Sequence, residues 1–485
     1  MSISSALSSA LSGLTATSRM AEVTASNVSN ALTEGYARRE VQLSARNLGQ
    51  TGVGVAVTGV TRRIDGPLLQ DLRLSSASFG ERTLTSAFLS RVEQALGTAD
   101  QAGSLSARIA TLERSLIEAG ARPEAEARLA AVVDAAQSLT EGLGDISRTI
   151  QSERQTADAR IAGEVQLLNA ALAGVAEINI RIRAFSSAGR DVSALMDQRQ
   201  QMVDSIAASI PIREVARDHN QIALYTTGGT ILLDGSPVEF GFTPTRLITP
   251  DLSVSTGSLS GLTVNGREVT TSPAGGRLGE GRLSALFEVR DTLAPAAQAG
   301  LDALARDLIE RVSAPGIDPT HVPGTPGLFT DRGLALDPSD EVGLASRIRV
   351  NTLVVPEAGG ALWRLRDGLG AAVAGPGGFS DRLMALSGAL RETRVQASGG
   401  LAEGARSLAE FASDISSMQS VRRLGAEAGT AFAAARQDAL RSELLRHGVD
   451  TDEEMQTLLL IEQAYAANAK VVQTVDDMIN ILLGM

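Results

Sequence analysis

Apolar residues repeat every seven positions at both ends of the chain. At the start, Leu7, Leu14, Ala21 and Val28 recur at this interval. A neighbouring series is formed by Ile3, Ala10, Thr17 and Thr24. Near the end, two such series are Leu458, Tyr465, Val472, Ile479 and Ile461, Asn468, Val475, Leu482. A sustained seven-residue repeat is typical of helices that pack lengthwise against a partner, so the pattern predicts one such helix at each end.

The two terminal helices are expected to pair with each other. An isolated helix of this length is marginally stable in water, so each needs a partner surface. Asn468 is the polar residue within the C-terminal stripe, and a buried Asn fixes register in coiled coils at some cost in stability. The alternative is that each is an ordinary amphipathic helix on the protein's own core.

The residues after Tyr36 change to a period of two. Val41 and Leu43, then Val53, Val55 and Val57, alternate with polar residues, which predicts a β-hairpin at about 36–62. Helical spacing returns at about 67–96, 123–182 and 193–210. The polar group at 152–155 interrupts the apolar seam of the second of these segments.

The region from Pro211 onwards is rich in strand and turn signals. Gly228-Gly229 and Asn265-Gly266 each lie between two β-type runs, the pattern of tight hairpins. The run "SRIRVNTLVV" also predicts a strand, whereas 282–312 and the chain from about Phe379 to its end have helical spacing. The fold class predicted is mainly α with a β-rich middle (α+β).

This order suggests a chain that goes out and comes back. The expected domains are 1–35 with 450–485, a terminal helical domain; 36–210 with 376–449, a mainly helical second domain; and 211–375, a β-rich outer domain. The assignment of the helix at 282–312 to the second or to the outer domain stays open. Three separate sequential domains are the alternative.

Composition and charge exclude several classes of function. The chain has no cysteine, so disulfides and thiol chemistry are impossible. With a net charge of −12, the chain does not have the basic composition typical of a nucleic-acid-binding protein. No apolar run approaches the roughly 18 residues that a membrane span needs, and no cleaved signal peptide is predicted. The protein therefore either stays in the cytoplasm or leaves by a route that reads no such signal.

Catalytic and cofactor motifs are also missing from the sequence. The three histidines, His219, His321 and His447, are far apart and have no metal-ligand spacing. A P-loop needs a lysine after a glycine loop, and the single lysine, Lys470, belongs to the C-terminal helix. We therefore predict no enzymatic activity, no catalytic residue, no metal and no cofactor, although two distant carboxylates can converge in a glycosidase.

Two terminal motifs resemble those of the flagellar rod, hook and hook-associated proteins. The N-terminal one is "LSGLTATSRMAEVTASNVSNALTEGYARREV", in which Asn27, Asn30, Gly35, Tyr36 and Arg38 match the family's Asn-x-x-Asn and Gly-Tyr elements. The C-terminal one is "EEMQTLLLIEQAYAANAKVVQTVDDMINILL". Thr33-Glu34 stands where the family often has Thr-Pro. The segments "TGVGVAVTGVTRRIDGPLLQDLR" and "LMDQRQQMVDSIAASI" point to the hook-associated branch.

The resemblance implies a structural role in the bacterial flagellum. It implies export through the flagellar type III apparatus and assembly into a ring of about eleven subunits between hook and filament. The implied partners are other copies of the chain, the hook protein, hook-associated protein 3 and a cytoplasmic export chaperone on the C-terminal helix. The repeat residues of both ends would form the assembly and chaperone interface.

Two other functions stay open at this point. A hook or rod protein would carry the same terminal motifs. A secreted adhesin would use the β-rich region at 211–375 to bind a surface ligand and the helices as a stalk, and it should function without its terminal repeats.

Overall fold

The computed structural model describes residues 3–33, 35–48, 51–98, 100–271, 276–400 and 404–484. These residues form mostly long helices with a few small antiparallel sheets, which confirms the predicted fold class. The helices are α1 Ile3–Asn30, α2 Gly66–Leu96, α3 Leu105–Ala121, α4 Glu126–Ser187, α5 Ser193–Ser209, α6 Arg282–Glu288, α7 Ala294–Val312, α8 Leu344–Arg347, α9 Arg364–Asp367, α10 Asp381–Arg391, α11 Leu408–Arg446 and α12 Thr451–Leu483. The strands are β1 Arg39–Leu48, β2 Thr51–Arg62, β3 Ile212–Ala216, β4 Ile222–Thr226, β5 Ile231–Asp234, β6 Ser236–Pro237, β7 Phe240–Gly241, β8 Leu262–Val264, β9 Arg267–Val269, β10 Phe329–Asp331, β11 Ile348–Val350, β12 Arg394–Val395 and β13 Ala405–Arg406.

The two terminal helices pack together, as the repeats predict. They run antiparallel, because Asn27 near the end of α1 contacts Glu454 at the start of α12, and Gly13 lies beside Asn468. The hairpin β1–β2 packs along α1, where the backbone N–H of Val55 donates to Ser12 Oγ at 3.1 Å. We call α1, the hairpin and α12 the rod, and the other described residues the body.

The body is organised around α4, a helix of 62 residues. Its buried residues run from Leu129 to Ile182, and one cluster of buried apolar residues joins it to α2, α3, α5, α7, α11 and the middle strands. By length and composition alone, α4 is the one helix in the described ranges that could cross a membrane. Because apolar residues along its whole length pack inside the protein, we interpret it as a core helix.

The sequence located most long helices of the body but not all of them. The predicted helices at 67–96, 123–182, 193–210 and 282–312 correspond to α2, α4, α5 and the continuous run α6–α7, which is joined by a π-helical turn at Val289–Leu293. This run contacts α2 and α4. Helix α3 was missed, although its Ile109, Leu112 and Leu116 have helical spacing and are buried.

Two hairpins of the middle region follow from local signals. Gly228-Gly229 joins β4 to β5, and Asn265-Gly266 joins β8 to β9 with φ values of 49° and 75°, as a tight hairpin turn requires. The prediction for "SRIRVNTLVV" was mostly wrong, because only Ile348–Val350 is a strand and short helical turns lie on both sides. The domain boundaries at 35, 210, 375 and 449 stay predictions.

The polar group at 152–155 lies inside α4, and the helix continues through it. Arg154 in this group is only 2% exposed. It donates to the carbonyl oxygens of Arg290 at 2.8 Å, Thr249 at 3.1 Å and Leu252 at 2.5 Å. A buried cation with satisfied donors is compatible with a core helix, and it ties the middle region to α4.

A group of acids between α2 and α6 makes stability depend on pH. Burial, together with the carboxylates of Glu280 and Glu288 and against Arg82, raises the pKa of Glu81 to about 7 from an ordinary 4.5. The folded state therefore favours the neutral acid, and this stabilisation is complete below pH 4.5 and is lost as the pH rises through about 7.

We expect Glu81→Gln to reduce this pH dependence, because an amide cannot ionise. The urea midpoint of the wild type should fall between pH 5 and pH 8, and that of the variant should fall less. Glu126→Gln, at the exposed start of α4, is the control and should leave the wild-type slope intact. Equal slopes for Glu81→Gln and the wild type would contradict the assignment.

Candidate assembly interface

One face of α12 is turned towards α1. Ile461 and Val475 are buried, and Leu458, Asn468, Val472 and Ile479 are half-buried. These residues are the predicted stripe, and helical geometry puts them on one side of the helix. Two members differ, since Tyr465 is 49% and Leu482 60% exposed. We call this the inner face of α12.

The residues of α1 that face inwards are smaller than the sequence suggested. Ala10, Thr17 and Thr24, the neighbouring series, are buried together with Ala16 and Val23. The main predicted series lies on the flank of the helix and is half-buried; it is Leu7, Leu14, Ala21 and Val28. Leu11 on the same side is half exposed. We call Leu7, Leu11, Leu14, Ala21, Ala25 and Val28 the α1 flank.

Gly13 lets the two helices approach closely. A Cβ atom at this position would lie 2.6 Å from Asn468 Oδ1, which is shorter than a van der Waals contact. Asn468 in turn donates to the Ala464 carbonyl of its own helix at 2.9 Å. Its amide therefore fills the space that the missing side chain leaves, and contact between small residues sets the spacing of the rod.

We expect Gly13→Val to loosen the pairing of α1 with α12, because the added side chain must displace Asn468. Overpacking of this kind costs about 1–3 kcal/mol. Hydrogen–deuterium exchange of the α1 and α12 amides should accelerate. Gly163→Val is the matched control, since a Cβ at Gly163 of α4 meets nothing within 4 Å. Unchanged exchange in Gly13→Val would mean that the helices have room to spare.

Asn27 joins three segments at the end of α1. Its Nδ2 donates to the Arg39 carbonyl at 2.9 Å and to Glu454 Oε2 at 3.1 Å. Its Oδ1 accepts from the Arg39 backbone N–H at 3.0 Å and from the Tyr36 hydroxyl at 2.9 Å. Asn27 is buried, and every polar group of its amide is used, so it holds the start of β1 and of α12 on α1.

The other motif residues shape the chain around Asn27. Gly35 has φ 79°, a conformation that glycine adopts without strain, whereas Glu34 lies outside the described residues. Tyr36 is half-buried with the Arg39 guanidinium 4.8 Å from its ring centre. Asn30 bonds only locally among the described groups, through Nδ2 to the Ser26 carbonyl and Oδ1 to Thr33.

Arg38 connects the motif to the first turn of α12. Its Nε donates to Glu454 Oε1 at 2.7 Å, and its guanidinium also donates to Glu453 at 3.0 Å. Burial acts to lower the pKa of Arg38, but the bonds to Glu453 and Glu454 outweigh it and raise the pKa above its ordinary value. Arg38 therefore stays charged and pins the two ends of the chain together.

Sequence reasoning missed the acidic partners of this joint. From the sequence, no role in this joint was predicted for Glu453, Glu454 or Asp197 of α5. Asp197 binds Arg39 and Arg62. The surplus of arginines in Arg38-Arg39 and Arg62-Arg63 was the one available signal, because cations placed at a domain joint require acids.

A second stripe of α12 faces solvent and is also apolar. It repeats at three and four residues and is exposed throughout, and we call it the outer seam: Leu460, Ala464, Ala467, Val471, Thr474, Met478 and Ile481. The remaining side of the helix is mostly polar, with Glu462, Lys470, Gln473 and Asp477. The helix thus has one apolar face covered by α1, one apolar face uncovered and one polar face. Exposed contiguous apolar surface of this kind marks interaction sites.

The described residues contain no group of three or more His, Asp or Glu side chains placed to hold a metal ion. His219 is exposed, and His321 Nε2 lies 2.9 Å from the Thr325 carbonyl. His447 lies 3.3 Å from Glu443 and 3.6 Å from Asp65. The three histidines are not brought together.

Two models of known protein families match the chain. The helical domain of the flagellar hook-associated protein FlgK matches residues 89–325. The C-terminal region of the flagellar basal body rod FlgEFG proteins matches residues 444–485. The first match covers the core of the body, and the second covers α12 with its inner face and outer seam.

Curated relatives agree with these matches. Flagellar hook-associated protein 1 of Bacillus subtilis is 26% identical over 240 residues, 47% of this chain and 47% of the relative. The protein of the same name from Salmonella typhimurium is 25% identical over 285 residues, 54% of this chain and 51% of the relative. The chain spans about half the length of the curated relatives it matches. The flagellar hook junction protein FlgK from Burkholderia pseudomallei matches with a TM-score of 0.43 and 17% identity, over 54% of this chain and 46% of that chain.

The paired terminal helices and both family matches define a structural axial protein of the bacterial flagellum. Within this class, the chain is similar to the flagellar hook-associated protein FlgK, also called hook-associated protein 1, whose helical domain matches residues 89–325. The resemblance found in the terminal motifs is confirmed. The family consists of structural proteins, which also confirms that the chain is not an enzyme.

Proposed function

We propose that the chain is a junction protein that joins the flagellar hook to the filament and assembles into a ring with copies of itself. The observation that carries this proposal is the outer seam of α12. A helix that already buries its inner face on α1 has no partner within the described chain for a second apolar stripe. Leu460 and Ile481 in this stripe are each 65% exposed, and burial of such side chains is a main driving force of association.

The α1 flank is the matching surface on the next copy. It extends from Leu7 to Val28, or about 32 Å at 1.5 Å per residue, and the outer seam from Leu460 to Ile481 has about the same length. Both surfaces repeat every seven residues. In the ring, α1 of one copy packs on α12 of the next, and such head-to-tail contacts close when the rotation between copies allows it.

The remaining expected contacts belong to the ends of this ring. The hook protein lies on one side and hook-associated protein 3 on the other, and the resemblance implies about eleven subunits. The names of the relatives and of the Burkholderia pseudomallei protein describe hook association and the hook junction. Ala and Ser let helices approach closely, so a chain rich in them suits the quasi-equivalent packing of subunits in this ring.

Export supplies a second partner for α12. The chain leaves through the flagellar type III apparatus, and a cytoplasmic chaperone holds the C-terminal helix until then. Leu458 and Val472 of the inner face and the outer seam are the apolar residues that such a chaperone would cover. The seam residues thus have two successive partners.

Deletion of the gene tests this function. Electron microscopy should show bare hooks, and flagellin should accumulate in the medium, because filament subunits then have no junction on which to assemble. Loss of the hook itself would identify a hook or rod protein instead. Intact filaments would refute the proposal and leave the adhesin, whose ligand site would lie in 211–375.

A further inference from the structure

Among the described residues, no cluster of buried apolar side chains spans the boundary between the rod and the body. The two clusters of buried apolar residues in the described ranges contain residues of the body alone. Two short connections cross the boundary, at 63–65 between β2 and α2 and at 447–450 between α11 and α12. Polar interfaces between parts of one chain permit relative motion unless something holds them.

One carboxylate of the body holds the rod at this boundary. Asp197 Oδ2 accepts from the Arg39 guanidinium at 2.7 Å, and Asp197 Oδ1 accepts from Arg62 Nε at 2.8 Å. The backbone N–H of Ala37 also points to Oδ1, at 3.4 Å. Arg39 begins β1 and Arg62 ends β2, so Asp197 grips the base of the hairpin from both strands.

Other contacts between the hairpin and α5 surround Asp197. Arg62 also donates to Gln200 Oε1 at 2.9 Å, and a Cβ at Gly35 would lie 2.7 Å from Gln201 Cγ. Burial lowers the pKa of Arg62, and Asp197 opposes that shift. Farther along, Arg19 and Asp191 are 3.8 Å apart and both well exposed, so this pair adds little.

We propose that Asp197 is the latch that fixes the angle between the rod and the body. With Asp197 engaged, the hairpin base, the end of α1 and, through Asn27 and Arg38, the start of α12 form one block with α5. With it released, water replaces the polar contacts, and no cluster of buried apolar residues among the described ones has to be opened. The rod then rotates relative to the body about the connections 63–65 and 447–450. These few residues act as a hinge, because they absorb the change in φ and ψ.

Distance measurements between spin labels test the latch in the purified chain. Because the chain has no cysteine, labels attach only at introduced ones, here Arg183→Cys near the end of α4 and Glu462→Cys on the polar side of α12, both exposed. The labelled chain should give one narrow distance distribution. Asp197→Asn should broaden it about twofold or split it, as expected for a released interdomain contact.

Two further variants make the result decisive. Asp234→Asn removes a carboxylate that also binds an arginine, Arg217, but within the body, and should leave the distribution narrow. Asp197→Glu keeps the charge and should restore most of the narrow population. If Asp197→Asn melts early, Arg62→Gln removes the same contact from the rod side. A narrow, unshifted distribution in folded Asp197→Asn or Arg62→Gln overturns the latch, and this holds whether or not the chain acts at the junction.

Discussion

Cells that carry Val471→Asp together with Met478→Asp should lose swimming, although the isolated chain folds normally. Both side chains belong to the outer seam and are 44% and 48% exposed. Substitutions at such positions change folding stability by about 0.5 kcal/mol or less. In the assembled ring, however, the two carboxylates would be buried against the α1 flank of the next copy without a partner, which is strongly unfavourable.

The comparison variant is Ala466→Asp with Gln473→Asp. It adds the same two charges to the same helix, but on its polar side, so swimming should persist. Soft-agar motility and filament counts by electron microscopy measure assembly, and circular dichroism with urea unfolding measures the fold. Normal swimming of the Val471→Asp, Met478→Asp cells would remove the outer seam from the interface. Ile461→Asp, on the inner face, should by contrast disrupt both rod pairing and assembly.

Arg154→Ala should destabilise the body more than any surface change. The substitution leaves the carbonyl oxygens of Arg290, Thr249 and Leu252 without their donors in a buried place. Unsatisfied buried groups of this kind and the cavity together should lower the free energy of unfolding by about 3–5 kcal/mol. Urea unfolding monitored by circular dichroism measures this loss.

Arg148→Ala is the control for Arg154→Ala. Arg148 is six residues earlier on α4 but 71% exposed, and it pairs only with Asp145 among the described groups. An exposed ion pair contributes about 0–1 kcal/mol to stability, so the urea midpoint of Arg148→Ala should hardly change. A similarly small shift for Arg154→Ala would show that water satisfies the three carbonyl groups.

The sequence predicted the terminal pairing because its repeat is local and long. Ile461, Asn468 and Val475 keep a constant spacing, so their shared face follows from helix geometry alone. On α1 the repeat does not by itself say which of the two neighbouring series faces α12. Ala10, Thr17 and Thr24 are buried, whereas Leu7 and Leu14 lie half-buried on the flank.

Contacts between distant residues explain the other differences. Arg154 looked like a break in an apolar seam because its acceptors are 95 to 136 residues away in the chain. The contacts of Asp197 were missed for the same reason, because it lies 158 residues from Arg39 and 135 from Arg62 in the chain. Short elements such as β11 are likewise set by their tertiary neighbours more than by propensity.

Thiol labelling at single introduced cysteines tests most directly whether neighbouring subunits cover the outer seam in the flagellum. Val471→Cys and Gln473→Cys place the thiol on the outer seam and on the polar side of α12, respectively. Both should react with a maleimide in the purified chain, and only Gln473→Cys should react in isolated intact flagella. Equal and complete labelling of Val471→Cys in both samples would show that the outer seam stays open to solvent after assembly, and would contradict the account.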